Sequence, residues 1–373
     1  MKETTMANEL DRRTTMVGIG AIGLTAAACG SAQVPPGVRK LGYAIVGLGY
    51  YATRVIMPRF EDCRYSRLVA LVSGTPAKLE AFGEQYKIPA HSRYSYASFD
   101  SIRDNPDIDI VYVILPNSMH AEYTIRAAKA GKHVLCEKPM AVSSAECATM
   151  IAACRAAGKK LMIGYRSHLE PHNVEAMRLA RSGAVGKAGM VESEHGFPIG
   201  DPTQWRLKRA LSGGGSLMDI GIYALQALRY MSGEEPVSVT AIEHTDRNDV
   251  RFREVEDKLS WSFQFPSGVI GQGYSSYSTP HNHIRLTGDR GWIDLEPATG
   301  YSGQAMRVKI GDKEQEVTPP TSGTNQFAAQ LDHMSQCVLT GREPLTPGEE
   351  GLRDLKLMEA IYRSAKEGRT IRV

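Results

Sequence analysis

Five short runs dominated by apolar residues recur through the first half of the chain: LGYAIVGLG, RLVALVS, IDIVYVILP, KHVLCEK and KLMIGYR. Between them lie stretches of helical character such as TPAKLEAFGEQY, SMHAEYTIRAAKAGK and SSAECATMIAACRAAG. Strands that are apolar on both faces must be covered on both faces, and strands alternating with helices pair in parallel. This pattern predicts a doubly wound parallel sheet over residues 41–166. With 373 residues the chain exceeds what one core usually holds, so a second domain is expected over 167–373. There helices around EPHNVEAMRLARSG and GGGSLMDIGIYALQALRYMSG precede alternating strands in VSVTAIEHT, VEDKLSWSFQFPSGVIGQGYSSY and NHIRLTGDRGWIDLEP. FPSG and GDRG are turn signals, so the second domain reads as α+β with a large open, mostly antiparallel sheet.

The first residues differ from the rest. Arg12 and Arg13 precede an apolar, Gly- and Ala-rich run from Met16 to Ala28 that is too short to span a bilayer. Residues 1–30 are therefore expected to be a twin-arginine-type signal segment, which carries folded proteins, and residues 31–40 an extended arm. The expected location is periplasmic, without stable membrane association unless Cys29 is a lipid acceptor. The net charge of +3 is not gathered into runs, which argues against a nucleic-acid partner. The six cysteines are scattered with no C-x-x-C pair, and His168, His172, His281 and His283 have no ligand spacing, so no metal site is expected.

Gly47-Leu48-Gly49-Tyr50-Tyr51-Ala52 forms G-x-G-x-x-A directly after the first strand. The first glycine makes a tight turn, the second admits a pyrophosphate to the backbone, and Ala52 lets the helix pack closely; together they predict a Rossmann dinucleotide site. The second strand ends in Ser73-Gly74 with Lys78 beyond and no carboxylate, which favours NADP over NAD. In GKHVLCEKPM, Lys138 stands at the end of an apolar run, where desolvation is costly unless a partner uses the charge. Asp219 and Tyr223, four apart in MDIGIY, share a helix face and supply that partner; a Tyr hydroxyl beside Lys and Asp is a candidate acid/base for a sugar hydroxyl. The SGGGS loop before them allows close backbone approach, and Trp205 with Arg206 is a candidate clamp from the second domain.

These residues, with GKHVLCEKPM, QWRL, GGGSLMDIGIY, RYMSGEEP, SSYST, EPATGY, NQFAAQLDH and TPGEEG in order, resemble the Gfo/Idh/MocA oxidoreductase family, in particular its glucose-fructose oxidoreductase members, from about Leu41 to the C-terminus. The resemblance implies that Lys138 polarises the sugar hydroxyl beside the nicotinamide, with Tyr223 as acid/base and Asp219 its companion. It implies that Ser73, Gly74, Lys78 and Tyr96 hold the adenosine end of NADP and that Trp205 and Arg206 reach it from the other domain. Leu48, Tyr50, Tyr51, Leu115, Pro116, Asn117, His120, Glu137, Arg166 and Tyr301 complete the implied cofactor contacts, and Tyr165 and Arg166 join the substrate contacts. A cycle in which one aldose is oxidised to its lactone and a second sugar, an aldose or fructose, is then reduced on the same bound cofactor is the implied activity. The alternatives are an aldose dehydrogenase that releases NADP(H) and a catalytically inactive dinucleotide-binding regulator. A homodimer built through the open sheet is implied, with a tetramer as the alternative.

Overall fold

The structure is a computed structural model describing residues 37–373; the expected signal segment and most of the arm lie outside the described residues. The end of the arm is pinned where it enters the fold: Arg39 makes a two-pronged pair with Asp109 at 2.6 and 2.7 Å, and Lys40 Nζ donates to the Cys63 carbonyl at 2.6 Å.

The first domain is built on six parallel strands: β1 (Leu41–Val46), β2 (Ser66–Val72), β3 (Arg93–Tyr94), β4 (Ile110–Val113), β5 (His133–Cys136) and β6 (Leu161–Ile163). Their spatial order is β3-β2-β1-β4-β5-β6, the order of a dinucleotide-binding sheet. β1 is central, with Ile45 opposite both Leu71 and Tyr112, and every residue of it is buried, which is why LGYAIV contains no charge. β3 has only two residues, too few to leave a pattern in sequence. Helices α1 (Pro76–Gln85), α2 (His120–Lys129) and α3 (Ser144–Ala156) connect these strands. α3 starts where the Ser143 hydroxyl accepts from the Glu146 amide at 3.3 Å, a side-chain cap for one orphan donor.

The second domain opens with α4 (Pro171–Arg181), capped by Glu170, whose carboxylate accepts from the Asn173 amide at 2.8 Å. Its sheet comprises β7 (Ala188–Gly196), β8 (Ser238–His244), β9 (Lys258–Gln264), β10 (Ile270–Ser276), β11 (His281–Gly288), β12 (Gly291–Leu295), β13 (Met306–Ile310), β14 (Lys313–Glu316) and β15 (Ile371–Arg372). The order is β14-β13-β12-β11-β7-β10-β9-β8-β15, antiparallel except for β7 with β10. β7 was not foreseen as a strand, although it lies at the centre. Its core-facing residues are Val191, Ser193 and His195, so the expected apolar alternation is broken by two polar side chains. The single turn α5 (Arg209–Ser212) and helix α6 (Ile222–Ser232) follow β7, and α6 packs on the core face with Trp261 and Phe263 of β9. Among the described residues, the other sheet face carries no covering element and presents Glu192, Glu194, Gln272, Tyr274, His281 and Arg285.

The boundary expected at residue 166 separates the two sheets but not the packing. α7 (Gln326–Thr340) returns to the first domain, where Phe327, Leu331 and Met334 pack against Tyr43, Ile45 and Leu71 and the Tyr43 hydroxyl donates to the Leu331 carbonyl at 2.7 Å. α8 (Gly348–Glu367) bridges both: Glu359 accepts from the Ser144 amide at 2.7 Å, and the Ser364 hydroxyl accepts from the Ala241 amide at 2.9 Å. The two sheets are thereby held around one shared cleft.

Candidate active site

The glycine turn at the end of β1 opens this cleft. Gly47 has φ +95°, and a Cβ there would sit 2.1 Å from the Ile114 carbonyl oxygen, so only glycine fits. A Cβ on Gly49 would meet no protein atom within 4 Å; its backbone faces open space, as a pyrophosphate cradle requires. The segment after it, Tyr51–Ile56, is wound as a π-helix, and Ala52 is fully buried against the sheet. Ser73, at the end of β2, is buried and its hydroxyl accepts from the Thr75 amide at 3.1 Å. Lys78 reaches back from α1 to the Leu48 carbonyl at 3.0 Å, which places an ammonium between the β2 end and the glycine turn. Gly74 leaves room for the Tyr96 ring, whose Cε2 would lie 2.9 Å from a Cβ at that position. The cradle and the cationic β2 end fit a dinucleotide bearing a 2′-phosphate.

The cleft has a volume of about 870 Å³, and its opposite wall comes from the second domain. Lys138, at the end of β5, donates to the Asp219 carbonyl oxygen at 2.6 Å and lies 3.8 Å from its Oδ1. Asp219 Oδ2 accepts from Arg206 Nε at 2.9 Å and from the Tyr277 hydroxyl at 3.0 Å. Burial opposes ionisation of Asp219, but Arg206 and Lys138 outweigh it and hold its carboxyl below the ordinary range. Residues Leu217–Gly221, carrying Asp219, are wound as a π-helix that runs directly into α6, which carries Tyr223. π-turns inside helices frequently mark functional sites. Lys138 Nζ stands 4.8 Å from the Tyr223 ring centroid, and the Arg166 guanidinium 5.0 Å from it.

Arg166 is buried without a carboxylate. Its two terminal nitrogens donate to the carbonyls of Thr299 at 2.6 Å and Gly300 at 3.1 Å and to Gln326 Oε1 at 2.7 Å, its Nε is buried without a partner, and the guanidinium also faces Tyr301 at 5.0 Å. It thus fastens the 299–301 loop and α7 to the floor of the cleft. Glu137, beside Lys138, accepts from the Tyr112 hydroxyl at 2.5 Å and is pushed above the usual carboxylate range by burial, against the opposing pull of Tyr112 and Lys138.

The structure brings together in this cleft Gly47, Leu48, Gly49, Tyr50, Tyr51, Ser73, Gly74, Lys78, Tyr96, Leu115, Pro116, Asn117, Glu137, Lys138, Arg166, Trp205, Arg206, Asp219, Tyr223 and Tyr301. Two expected contacts lie elsewhere. His120 is buried behind the wall and does not line the cleft; its ring nitrogens lie 2.9 Å from the Leu115 and Pro139 carbonyls, and the neutral ring that burial favours donates to one of the two. Tyr165 is buried in the core beside His168, off the cleft. Tyr165 follows β6 and Arg166 follows Tyr165, so only one of the two neighbours faces the cleft. Sequence reading missed Tyr277, Phe197, Gln204 and Thr299. Tyr277 stands inside the quoted SSYST motif, but nothing in its spacing ties it to Asp219.

Comparison with known proteins agrees with this geometry. Residues 41–165 match the model of an oxidoreductase family with an NAD-binding Rossmann fold, and residues 174–294 match the GFO/IDH/MocA C-terminal domain. The crystal structure of aldose-aldose oxidoreductase from Caulobacter crescentus complexed with glycerol superposes with a TM-score of 0.89 at 60% identity, covering 90% of this chain and all of that one. D-xylose 1-dehydrogenase [NADP(+)] of Haloarcula marismortui is 29% identical over 337 residues, 89% of this chain and 92% of that protein. 1,5-anhydro-D-fructose reductase of Ensifer adhaerens is 28% identical over 286 residues, 75% of this chain and 84% of that protein. Fold and cleft together define a nicotinamide-dependent oxidoreductase. The chain belongs to the Gfo/Idh/MocA family.

Proposed function

We propose that this protein is a sugar oxidoreductase that keeps NADP(H) bound, oxidising an aldose to its lactone and then reducing a second sugar, an aldose or fructose, to an alditol. The observation that carries the reading is the convergence of Lys138, Asp219 and Tyr223 on one cleft with the glycine cradle and the carboxylate-free β2 end. The names and the coverage of the three relatives support a sugar as substrate. When bound, the nicotinamide supplies the hydride acceptor or donor. Lys138 holds and polarises the reacting hydroxyl oxygen, and Tyr223 takes its proton in oxidation and returns one in reduction. Asp219, kept ionised, balances the charges of Lys138 and Arg206 and fixes both side chains at the cleft.

Export by the twin-arginine route belongs to the same reading, since a protein that carries its cofactor must fold before it crosses the membrane. The test is an absorbance spectrum of the purified protein with no cofactor added, taken before and after glucose or xylose and again after an acceptor sugar. A reduced-nicotinamide band that rises with the first sugar and fades with the second is the expected result. A band that appears only after free NADP is supplied would replace the cycle by an ordinary dehydrogenase. Recovery of the mature protein from the cytoplasm alone would overturn the export reading.

A further inference from the structure

Beside the cofactor cleft lies a second cavity of about 510 Å³ that shares Phe197, Ile220 and Thr299 with it. His195 of β7 lines this cavity, is 1% exposed, and lies with its ring centroid 5.8 Å from that of Tyr223. Its hydrogen-bond chain determines which nitrogen carries the proton. The amides of Ala298 and Thr299 donate to Asn282 Oδ1 at 3.1 and 2.8 Å, which orients that amide as an acceptor. The Thr299 hydroxyl lies 3.1 Å from the same Oδ1 and 3.1 Å from His195 Nδ1. Asn282 Oδ1 has no proton to offer, so the single hydroxyl proton of Thr299 goes there and the hydroxyl accepts from His195 Nδ1–H. Nε2 is left as a bare lone pair, buried and without a partner.

A buried acceptor without a donor is costly, and a built-in one calls for a ligand. Around Tyr223 one donor is unmatched, the Arg166 Nε, which is buried without a partner. Lys138 and Arg166 face its ring, while Asp219 Oδ2 is already engaged by Arg206 and Tyr277. Of the other charged groups of the second cavity, His281 is paired with Glu194 at 3.2 Å and His283 with Asp294 at 2.7 Å, while Glu296 lies at its rim as a further acceptor. A polyol brings several hydroxyl protons that must each find a lone pair.

We propose that the sugar lies with its reacting carbon at Tyr223 and its far end in the second cavity, where His195 Nε2 accepts from one non-reacting hydroxyl and selects for sugars that carry it. Burial, reinforced by Arg166, His283 and His281, lowers the imidazole pKa to about 3, so the lone pair is present at every working pH. The inference rests on the sugar oxidoreductase reading and deepens it.

The test measures kcat/KM for NADP reduction by the cofactor-loaded protein with D-glucose and with each of its monodeoxy analogues. The wild type is expected to disfavour one analogue by about 10–100-fold, because removing that hydroxyl leaves Nε2 unpaired. His195→Leu is expected to abolish the discrimination at that position alone, and His195→Gln to restore part of it, since the amide oxygen reaches close to the place of Nε2. NADP retention by each variant reports the fold; if the leucine variant does not retain it, His195→Asn, which withdraws the acceptor while staying polar, takes its place. An equal loss on every sugar, or unchanged discrimination, would overturn the inference while leaving the sugar reading intact. A wild type that no sugar reduces would overturn the reading and the inference together.

Discussion

Asp219 is where the charges of the cleft converge, with Lys138 and Arg206 on either side and Tyr277 donating to the same oxygen as Arg206. Replacing Tyr223 by Phe removes only the hydroxyl, so the rate of the hydride step is expected to fall by about 10²–10⁴-fold with NADP binding unchanged, as single-turnover absorbance would show. An inactive dinucleotide-binding regulator would be indifferent to that change. A second residue-scale prediction concerns His168, which packs against Tyr230 and whose pKa burial lowers to about 4. The unfolded chain protonates this imidazole as pH falls through about 6.5, and the folded chain only near 4, so its contribution is present in full above that upper value and is lost on acidification between the two. His168→Gln should therefore lose roughly 1–2 kcal/mol less stability than the wild type between pH 7 and pH 5 in paired denaturation curves. Parallel curves would show that His168 is not the linked group. Lys138, Asp219 and the glycine motif were readable from residue type and position along the chain. Tyr277 and His195 were not, because a tyrosine after a strand or a histidine within one carries no mark of what it faces.

At the scale of elements, the two glycines of the β1 turn separate folding from binding. Gly47→Ala meets the Ile114 carbonyl and a positive φ, and is expected to lower the thermal midpoint and the soluble yield. Gly49→Ala meets nothing in the protein, so the midpoint without cofactor should hold while NADP affinity falls by about tenfold or more, as titration against cofactor fluorescence would measure. Equal effects of the two changes would refute this division. The parallel strands other than the two-residue β3 were visible in sequence because both of their faces are buried, and β8 to β12 because one face is. β7 hid behind the two polar residues on its core face, Ser193 and His195, the second of which lines the cavity beside the site. The π-turn at Leu217–Gly221 was equally invisible: spacing four residues apart predicts a shared face whether the turn is wound as α or π.

For the whole molecule, the uncovered face of the nine-stranded sheet is the surface we expect to pair in a homodimer, with Ile242 at 73% and Ile270 at 47% exposure among its outward side chains. Light scattering at working concentration should return twice the mass of one chain, and a monomer would refute the assignment. Packing also ties the two domains more closely than the chain order suggests, because α7 supplies Phe327, Leu331 and Met334 to the core beneath β1. Sequence by itself determined the two kinds of sheet, the dinucleotide turn, the place of Lys138 at the end of an apolar run and the shared face of Asp219 and Tyr223, since each depends on local periodicity or on residues that are neighbours in the chain. Tertiary structure alone decided that α7 closes the first domain, that His120 and Tyr165 turn away from the cleft, and that Tyr277 and His195 stand beside the chemistry. Those outcomes depend on which faces of separate segments meet, and contacts between segments, from the 58-residue separation of Asp219 and Tyr277 to the 288-residue separation of Tyr43 and Leu331, leave no trace in local pattern.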